Sequence, residues 1–433
     1  MPNRVMPNRV MPNRVMPNRV MPTRTNRPAR SRRLAAVALA ASTLISIAAC
    51  SAEDEVASAA QPAASSGAAP LKLVGILTVS APSVGFPDQA AAIEAAVAAV
   101  NDAGGIAGRK VELTVCNDQA DPNVSAKCAQ DAVAQGAIAV IGGLSVGGSG
   151  MVPVLEQAGI PLLSHPINPL EFTSPNSWPI PGGTPVSFSG AAIGLVKTYG
   201  CKKVDAITQS LPSSIASADF ADAGLKSLGM KLNAKIAVPT TNADYGAPVA
   251  QVVSNGADCV VIALPPGEAG KAIAALGAGA PGVKAGLAAA SLTQALIEQV
   301  GKPAEGVLLS DSFLPVNSDE PGMVAFRDAM KKYKPDANPT SAGVVAWSAV
   351  AVVKAAAEAI QGPIDAKAMQ QTLGTLDAVE TGVGPAIDLT TPLGIKDFSR
   401  ILNTNVVTYT VKDGTYGPAA EPFSVLDAVK ADG

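Results

Sequence analysis

The chain has 433 residues, of which 48% are hydrophobic, 3% aromatic and 15% charged, and its formal net charge is −3. This length and composition suit two domains with large aliphatic cores, and they exclude a chain that is disordered throughout. The absence of a basic excess and of aromatic platforms argues against a nucleic-acid partner, and the single histidine excludes a histidine-rich metal site and disfavours a catalytic triad.

The N-terminal segment, residues 1–49, contains nine arginines and no acidic residue. It opens with four copies of MPNRV, a repeat too short to form a packed unit, which we interpret as a series of alternative start methionines. Arginines at 30–33 then precede sixteen uncharged residues, 34–49. A basic region followed by a short apolar run predicts a signal peptide, because a membrane-spanning helix needs about 20 residues.

Cys50 follows this run, and the junction Ile47-Ala48-Ala49-Cys50 resembles the lipobox of bacterial lipoproteins. The resemblance implies cleavage before Cys50, a lipid on its thiol, and a mature protein anchored to the outer face of the cytoplasmic membrane. Residues 51–70 are rich in Ala, Ser and Pro, which is typical of a flexible tether. We therefore expect a signal peptide at 1–49 and a lipid-anchored linker at 50–70. An ordinary signal peptide that contains a cysteine is the alternative.

From Leu71 onward, short aliphatic runs alternate with amphipathic segments, which predicts a parallel, doubly wound α/β sheet. In the first unit we expect strands at 71–79, 109–117, 138–143 and 160–165, and helices at 88–101, 122–135 and 148–159. A proline-rich stretch at 165–188 interrupts this pattern.

A second unit follows the proline-rich stretch. Its expected strands lie at 202–210, 230–238, 258–265, 283–290 and 306–311, and its expected helices at 215–229, 245–255, 267–279 and 292–301. Three more helices are expected at 321–334, 341–361 and 365–374. Near the end, Asp413-Gly414 predicts the turn of a hairpin over 405–417.

Two glycine motifs carry little chemistry. Gly143 to Gly147 matches the G-x-S-x-G nucleophile elbow, but the one possible base, His165, is too near in sequence. We instead expect a loop whose free backbone N–H groups suit an anion such as a ligand carboxylate. A G-x-G-x-x-G match at 277–282 closes a helix instead of opening one, so no dinucleotide or other cofactor is expected. His165 is either a ligand contact or a residue satisfied within its loop, and Phe86 is either a ligand contact or simple packing.

Four cysteines remain beyond Cys50, namely Cys116, Cys128, Cys201 and Cys259. An even number in an exported chain predicts two disulfides. Their places on the expected elements favour the pairs Cys116–Cys128 and Cys201–Cys259, with free thiols as the alternative. No C-x-x-C spacing indicates zinc, and no metal site is expected.

The body of the chain resembles the type I periplasmic binding proteins, in particular the leucine and branched-chain amino-acid receptors of ABC transporters. The likeness is clearest in the runs at 91–133, 141–165 and 168–173, which include the motif NDAGGI-x-GRK and a D-x-x-D-P turn. It continues more weakly through GADCVVIALPPGEAGKAIAAL and SAGVVAWSAVAVVKAAAEAI, so it covers the whole mature body.

The resemblance implies an α/β fold of two doubly wound, Rossmann-like lobes joined by three crossings, with the ligand between them. The first lobe would comprise 71–187 and 314–385, and the second 188–313 and 386–433. The crossings would fall near Ser187, near Phe313 and between 385 and 400.

The resemblance also implies which loops bind the ligand. The loop from Ser145 to Ser149 would hold a carboxylate, the loop from Ser164 to Asn168 would add contacts, and Phe86 would flank the ligand. The candidate ligand-binding residues are Ser80, Phe86, Ser145, Val146, Gly147, Ser149, Ser164, His165, Asn168, Ser210, Glu268, Ser291 and Asp311.

The chain departs from the amino-acid receptors at the expected contacts. Val146 stands where they usually carry serine and Asn168 where they carry threonine, and residues 290–293 include no carboxylate to balance a ligand ammonium. Because an unpaired buried ammonium costs several kcal/mol, either Glu268 or Asp311 substitutes, or the ligand is not an α-amino acid.

We therefore expect a solute-binding protein, not an enzyme. It would act as a monomer that captures a branched-chain amino-acid-like, amide or carboxylate solute and delivers it to an ABC transporter permease. A ligand-sensing surface lobe that works without transport is the main alternative, and a lipid-anchored hydrolase is a more remote one.

Overall fold

The computed structural model of the protein describes residues 68–82 and 84–426. All of them belong to a compact unit that begins at Pro62. The expected signal peptide, the lipidated Cys50, most of the linker and the last residues of the expected second lobe lie outside the described residues.

The first sheet consists of five parallel strands in the order β2-β1-β3-β4-β5. Its strands are β1 (Leu71–Leu77), β2 (Val111–Asn117), β3 (Ala139–Gly142), β4 (Leu162–Ser164) and β5 (Ser177–Pro179). The helices among them are α1 (Pro87–Asp102), α2 (Pro122–Gln135) and α3 (Met151–Ala158). Apart from the exposed Lys72, β1 is apolar because helices cover both faces of the sheet: Leu73 and Leu77 join the core with α1, whereas Val74 and Ile76 join that of α2 and α3.

The second sheet has seven strands in the order β12-β11-β10-β9-β8-β6-β7. Its strands are β6 (Val204–Gln209), β7 (Ala234–Val238), β8 (Cys259–Ala263), β9 (Lys284–Ala288), β10 (Leu308–Asp311), β11 (Asn405–Lys412) and β12 (Thr415–Ser424). β6 to β10 are parallel, and β11 and β12 form an antiparallel hairpin at the edge. Its helices are α4 (Gly183–Tyr199), α5 (Pro212–Lys226), α6 (Gly246–Ser254), α7 (Pro266–Gly279) and α8 (Gln294–Val300).

After β10 the chain returns to the first sheet. There α9 (Pro321–Tyr333), α10 (Ser341–Ala359) and α11 (Ala366–Leu373) share a core with α1. We call the first sheet with α1–α3 and α9–α11 the first lobe, and the second sheet with α4–α8 the second lobe. α10 is long and apolar enough to cross a membrane, but most of it is buried in the first-lobe core, and a core helix passes the same test.

The expected α/β fold of two doubly wound sheets is confirmed, and so are both disulfides. Cys116–Cys128 joins the end of β2 to α2, and Cys201–Cys259 joins the residues after α4 to the start of β8. Asp258 lies beside the second pair, but both thiols are consumed in the disulfide and cannot bind a metal. The hairpin turn is also as expected, because Asp413 and Gly414 both have positive φ, as a two-residue type I′ turn requires.

Two elements were not expected from the sequence, the short strand β5 and the 17-residue helix α4. α4 is buried around most of its circumference, so its sequence has no amphipathic period. It lies directly on the second sheet: a Cβ on Gly190 would be 2.5 Å from Ser310 Oγ, and one on Gly194 would be 2.9 Å from Thr408 Cγ2. The expected first crossing at Ser187 falls inside this helix, which begins at Gly183.

Candidate ligand-binding cleft

The carboxyl ends of the parallel strands in both sheets point toward one junction between the lobes. Just past β5, Ile180 O accepts a hydrogen bond of 2.9 Å from Asn403 Nδ2. Just past β10, Ser312 Oγ accepts one of 3.0 Å from Gly182 N. Open α/β sheets bind ligands beyond the carboxyl ends of their strands, so this junction is the candidate cleft.

A buried polar network fixes the first-lobe loop after β3. Thr78 Oγ1 donates to Asp118 Oδ1 at 2.6 Å, and Ser145 Oγ donates to the other oxygen of the same carboxylate. Ala120 N also donates to Asp118 Oδ1, at 2.9 Å, and Val146 N donates to Thr78 Oγ1 at 3.0 Å. Because the side chains of Thr78, Asp118 and Ser145 are fully buried, the Ser145 hydroxyl stabilises the loop from the protein interior and does not face the cleft.

This loop combines closely packed glycines with two exposed side chains. A Cβ on Gly147 would lie 2.7 Å from Asp121 O, and one on Gly150 would lie 1.8 Å from a carbonyl oxygen at the start of α2. Only glycine therefore allows the loop to pack on the N-terminus of that helix. Val146 and Ser149 are exposed and remain available to a solute.

His165, in the loop after β4, is held by hydrogen bonds of its backbone N and of its ring. Its backbone N donates to Gly142 O at 2.7 Å, and its Nδ1 lies 3.2 Å from Gln89 Nε2. That amide also donates to Ala342 O, and its oxygen accepts from Leu144 N at 2.7 Å. Because the Gln89 amide donates to it, Nδ1 acts as an acceptor. Burial lowers the pKa of His165 to about 4, so the ring is neutral at pH 7.

Asn168 and Glu171 shape the same loop. Glu171 is fully buried, and its Oε2 accepts from Ile167 N at 3.1 Å, from Asn168 N at 3.2 Å and from the Asn168 side-chain amide. Burial, with a smaller contribution from the charge of Asp118, raises the pKa of Glu171 to about 7. Glu171 Oε1 and Asn168 Oδ1 are buried without a hydrogen-bond partner. Ser164 is also fully buried, with its hydroxyl 3.3 Å from Ser177 Oγ, inside the sheet.

Phe86 and Ser80 belong to the loop that follows β1. Phe86 is half-buried at the start of α1, and its backbone N donates to Thr78 O at 2.9 Å. Ser80 is exposed, and Asn117 Nδ2 donates to its hydroxyl and to its carbonyl oxygen, both at 3.0 Å. The loop thus rests on the end of β2, with the Phe86 ring partly accessible.

The second-lobe candidates include two acids, and neither is free. Glu268 accepts from Lys271 Nζ at 2.8 Å and from Tyr245 OH at 3.0 Å, and these bonds lower its pKa. Asp311 accepts from the backbone N of the next residue at 2.7 Å, and burial raises its pKa to about 6. Ser210 is exposed and Ser291 is half-buried, each just after a strand end.

A cavity of about 890 Å³ opens at the junction, although none of the thirteen candidate residues lines it. One wall comes from the second-lobe segment that follows β9, and another from the first-lobe residues before and at the start of α10. The chain that crosses from β10 to α9 forms the floor, held by Arg327 Nη1, which donates to Val316 O at 2.6 Å. The lining residues include the charged Glu298 and Arg327 as well as Ala289, Ala290, Thr293, Gln294, Leu314, Pro315, Asn338, Pro339, Thr340, Tyr409 and Tyr416.

Four residues of the site were not singled out from the sequence: Thr78, Gln89, Asp118 and Glu171. Asp118 did belong to the D-x-x-D-P turn, but the pattern did not show that its carboxylate is buried. Glu171 follows Asn168 at the spacing of a helix-capping pair, and this N-x-x-E spacing was the signal that could have identified it. Thr78 and Gln89 carry no comparable signal.

Solved structures with this architecture are similar to the chain at low sequence identity. The branched-chain amino acid transporter substrate-binding protein of Streptococcus pneumoniae, in complex with isoleucine, is 18% identical with a TM-score of 0.62, covering 82% of this chain and 99% of that chain. An ABC transporter solute-binding protein from R. palustris, in complex with 4-hydroxybenzoate, is 19% identical with a TM-score of 0.62, covering 82% and 97%.

A fatty acid ABC transporter substrate-binding protein from Thermomonospora curvata is 14% identical with a TM-score of 0.64, covering 83% of this chain and 94% of that chain. No curated protein matches the chain. A sequence model of the periplasmic binding protein family matches residues 70–402, which include every strand from β1 to β10. The chain therefore belongs to the periplasmic binding protein family.

Proposed function

We propose that the protein captures a small organic solute between its two lobes and delivers it to an ABC transporter permease. The observation that carries this proposal is the junction, where strand ends from both sheets meet beside a cavity of about 890 Å³. A solute held there touches both lobes only when they close, so binding shifts the population toward the closed form. The permease would recognise that form.

Within this proposal the lobes have the boundaries that the resemblance implies, and the protein acts as an extracytoplasmic monomer tethered through lipidated Cys50. Phe86, Val146 and Ser149 supply accessible first-lobe surface, and Ser210 and Ser291 supply second-lobe surface. The buried hydroxyls of Ser145 and Ser164 hold the loops in shape. The relatives are described with isoleucine, 4-hydroxybenzoate and fatty acid, so the fold supports a small organic solute without choosing among them.

A thermal-shift screen of amino acids, amides, aromatic acids and short fatty acids tests the proposal. We expect at least one compound to raise the melting temperature, because a ligand that binds only the folded state stabilises it by mass action. Val146→Asp places a charge on the exposed loop and is expected to abolish that rise. Val133→Asp is the matched control, since Val133 is also exposed but lies on α2. A broad library without any effect contradicts the proposal.

A further inference from the structure

The loops that follow the parallel strands contain no lysine or arginine. This is true of all ten loops that lead from a parallel strand into the next helical segment, the short turn after β9 included: 78–86, 118–121, 143–147, 165–168, 180–182, 210–211, 239–245, 264–265, 289–293 and 312–320. A solute with two or more negative charges would lose its hydration here without gaining a positive partner. These loops therefore disfavour phosphorylated and dicarboxylate solutes.

Three of the five carboxylates on these loops accept hydrogen bonds, and the other two, Asp319 and Glu320, are exposed at the far end of the loop that leads into α9. Asp118 is fully buried and accepts the hydroxyls of Thr78 and Ser145, as described above. Asp121 accepts from the backbone N of Asn123 at 2.8 Å, and Asp244 accepts from that of Gly246 at 2.9 Å.

The acids in the adjoining helical turns are also unavailable to a solute, because Glu268 forms an ion pair with Lys271 and Glu171 is buried under its loop. Burying an ammonium without a counter-charge costs several kcal/mol, so these loops are a poor site for a solute that carries one.

The same loops present aliphatic side chains to the junction side of their sheets. Val146 after β3, Ile167 after β4 and Leu211 after β6 are each at least 40% exposed. The second-lobe wall of the junction cavity begins with Ala289 and Ala290. Ligand pockets that are mostly apolar with a few backbone donors select solutes with an apolar body and one polar end.

We infer that the solute has an aliphatic or aromatic body and a single polar end, carboxylate or amide, and that it lacks an ammonium group. Gly148 N already donates to Ser145 O at 3.1 Å, but the backbone N–H of Gly147 has no hydrogen-bond partner within the described part of the chain. It can donate to that end, and no basic side chain is needed. This inference rests on the proposed function and specifies its substrate class.

Analogues of amino acids that lack the ammonium, with the carboxylate either kept or replaced by an amide, test the inference. Thermal shift and calorimetry would compare leucine with 4-methylpentanoate and 4-methylpentanamide, and phenylalanine with 3-phenylpropionate and 3-phenylpropanamide. We expect at least one ammonium-free member to bind, and to bind at least about tenfold more tightly than its parent amino acid. If the amino acids bind more tightly, or the broad screen finds only ammonium-bearing or polyhydroxylated ligands, the inference is wrong while the proposed function stands. If no compound of any class binds, the proposed function itself fails.

A designed counter-charge provides a second readout. Ala290 is exposed and lines the junction cavity. The carboxylate already on this wall, that of Glu298, accepts from Gln294 Nε2 at 3.2 Å, so Ala290→Asp supplies a second one directly after β9. We expect the variant to shift the ratio of affinities toward the amino acid by about tenfold relative to its ammonium-free analogue. Ala134→Asp, on an exposed position of α2, is expected to leave the ratio unchanged. An unchanged ratio in Ala290→Asp overturns the placement of the solute's polar end near this wall.

Discussion

At the scale of single residues, the buried carboxyl of Glu171 makes the cleft sensitive to pH. Its carboxylate accepts hydrogen bonds from Asn168 and from the backbone N of Ile167, and the negative charge of Asp118 is one cause of its raised pKa. Protein surroundings raise its pKa from 4.5 to about 7. A group whose folded pKa is raised binds its proton more tightly in the folded state. Its contribution to stability is therefore full below pH 4.5 and is lost as the pH rises through 7.

The variant Glu171→Gln measures this contribution. The wild type should lose stability relative to the variant between pH 4.5 and 7, by about 3 kcal/mol, as the difference between the two pKa values implies. The measurement is the free energy of unfolding in urea at several pH values. His165, with its pKa lowered to about 4, acts in the opposite sense, and Asp311 in the same sense, but both cancel in the difference between the two proteins. Glu112→Gln, on the exposed side of β2, is the control and should show no comparable trend.

At the scale of secondary-structure elements, helix α4 has glycines where it lies on β10 and β11. A Cβ on Gly190 would lie 2.5 Å from Ser310 Oγ and 2.7 Å from Val406 Cγ2. We expect Gly190→Ala to lower the free energy of unfolding by about 1–3 kcal/mol, although alanine is the better helix former, because overpacking outweighs propensity. Gly267→Ala in α7 is the matched control, since its Cβ would have no neighbour within 4 Å, and it should be neutral or stabilising. Equal effects in a chemical denaturation series would contradict the close packing of α4.

The elements that the sequence predicts best are the strands that helices cover on both faces and the helices that have capping residues. α2 has the expected bounds because Asp121 caps its first turn and Gly136, with positive φ, ends it. α4 could not be predicted because its apolar and small residues are buried on nearly all sides, which removes the periodic signal.

The same contrast holds at the site. The loops at the strand ends could be found from the alternation of elements. The inward orientation of the Ser145 and Ser164 hydroxyls could not be predicted, because the composition of a loop does not determine whether a short polar side chain points to solvent or to the interior. The sequence also could not show that Asn168 Oδ1 and Glu171 Oε1 are buried without a hydrogen-bond partner, because this depends on long-range packing.

At the scale of the whole molecule, the proposed anchor determines where the lobes work. In an oxidising, lipoprotein-processing bacterial host, we expect Cys50→Ala to leave the protein unlipidated and to move it from the detergent phase to the aqueous phase of a Triton X-114 partition. Ser51→Ala, one residue further on, is expected to partition like the wild type. Retention of Cys50→Ala in the detergent phase contradicts the lipobox interpretation, and it does not bear on the proposed cleft, to which Cys50 does not belong.

The two disulfides each stay within one lobe: Cys116–Cys128 in the first and Cys201–Cys259 in the second. The first lobe, however, is interrupted, because α9–α11 are encoded only after strands β6–β10. A chain that grows from its N-terminus must therefore hold an unfinished first lobe while most of the second is made. Both cysteine pairs are complete before α9 is synthesised. Each disulfide can therefore restrain a lobe whose hydrophobic core still lacks its last helices or strands.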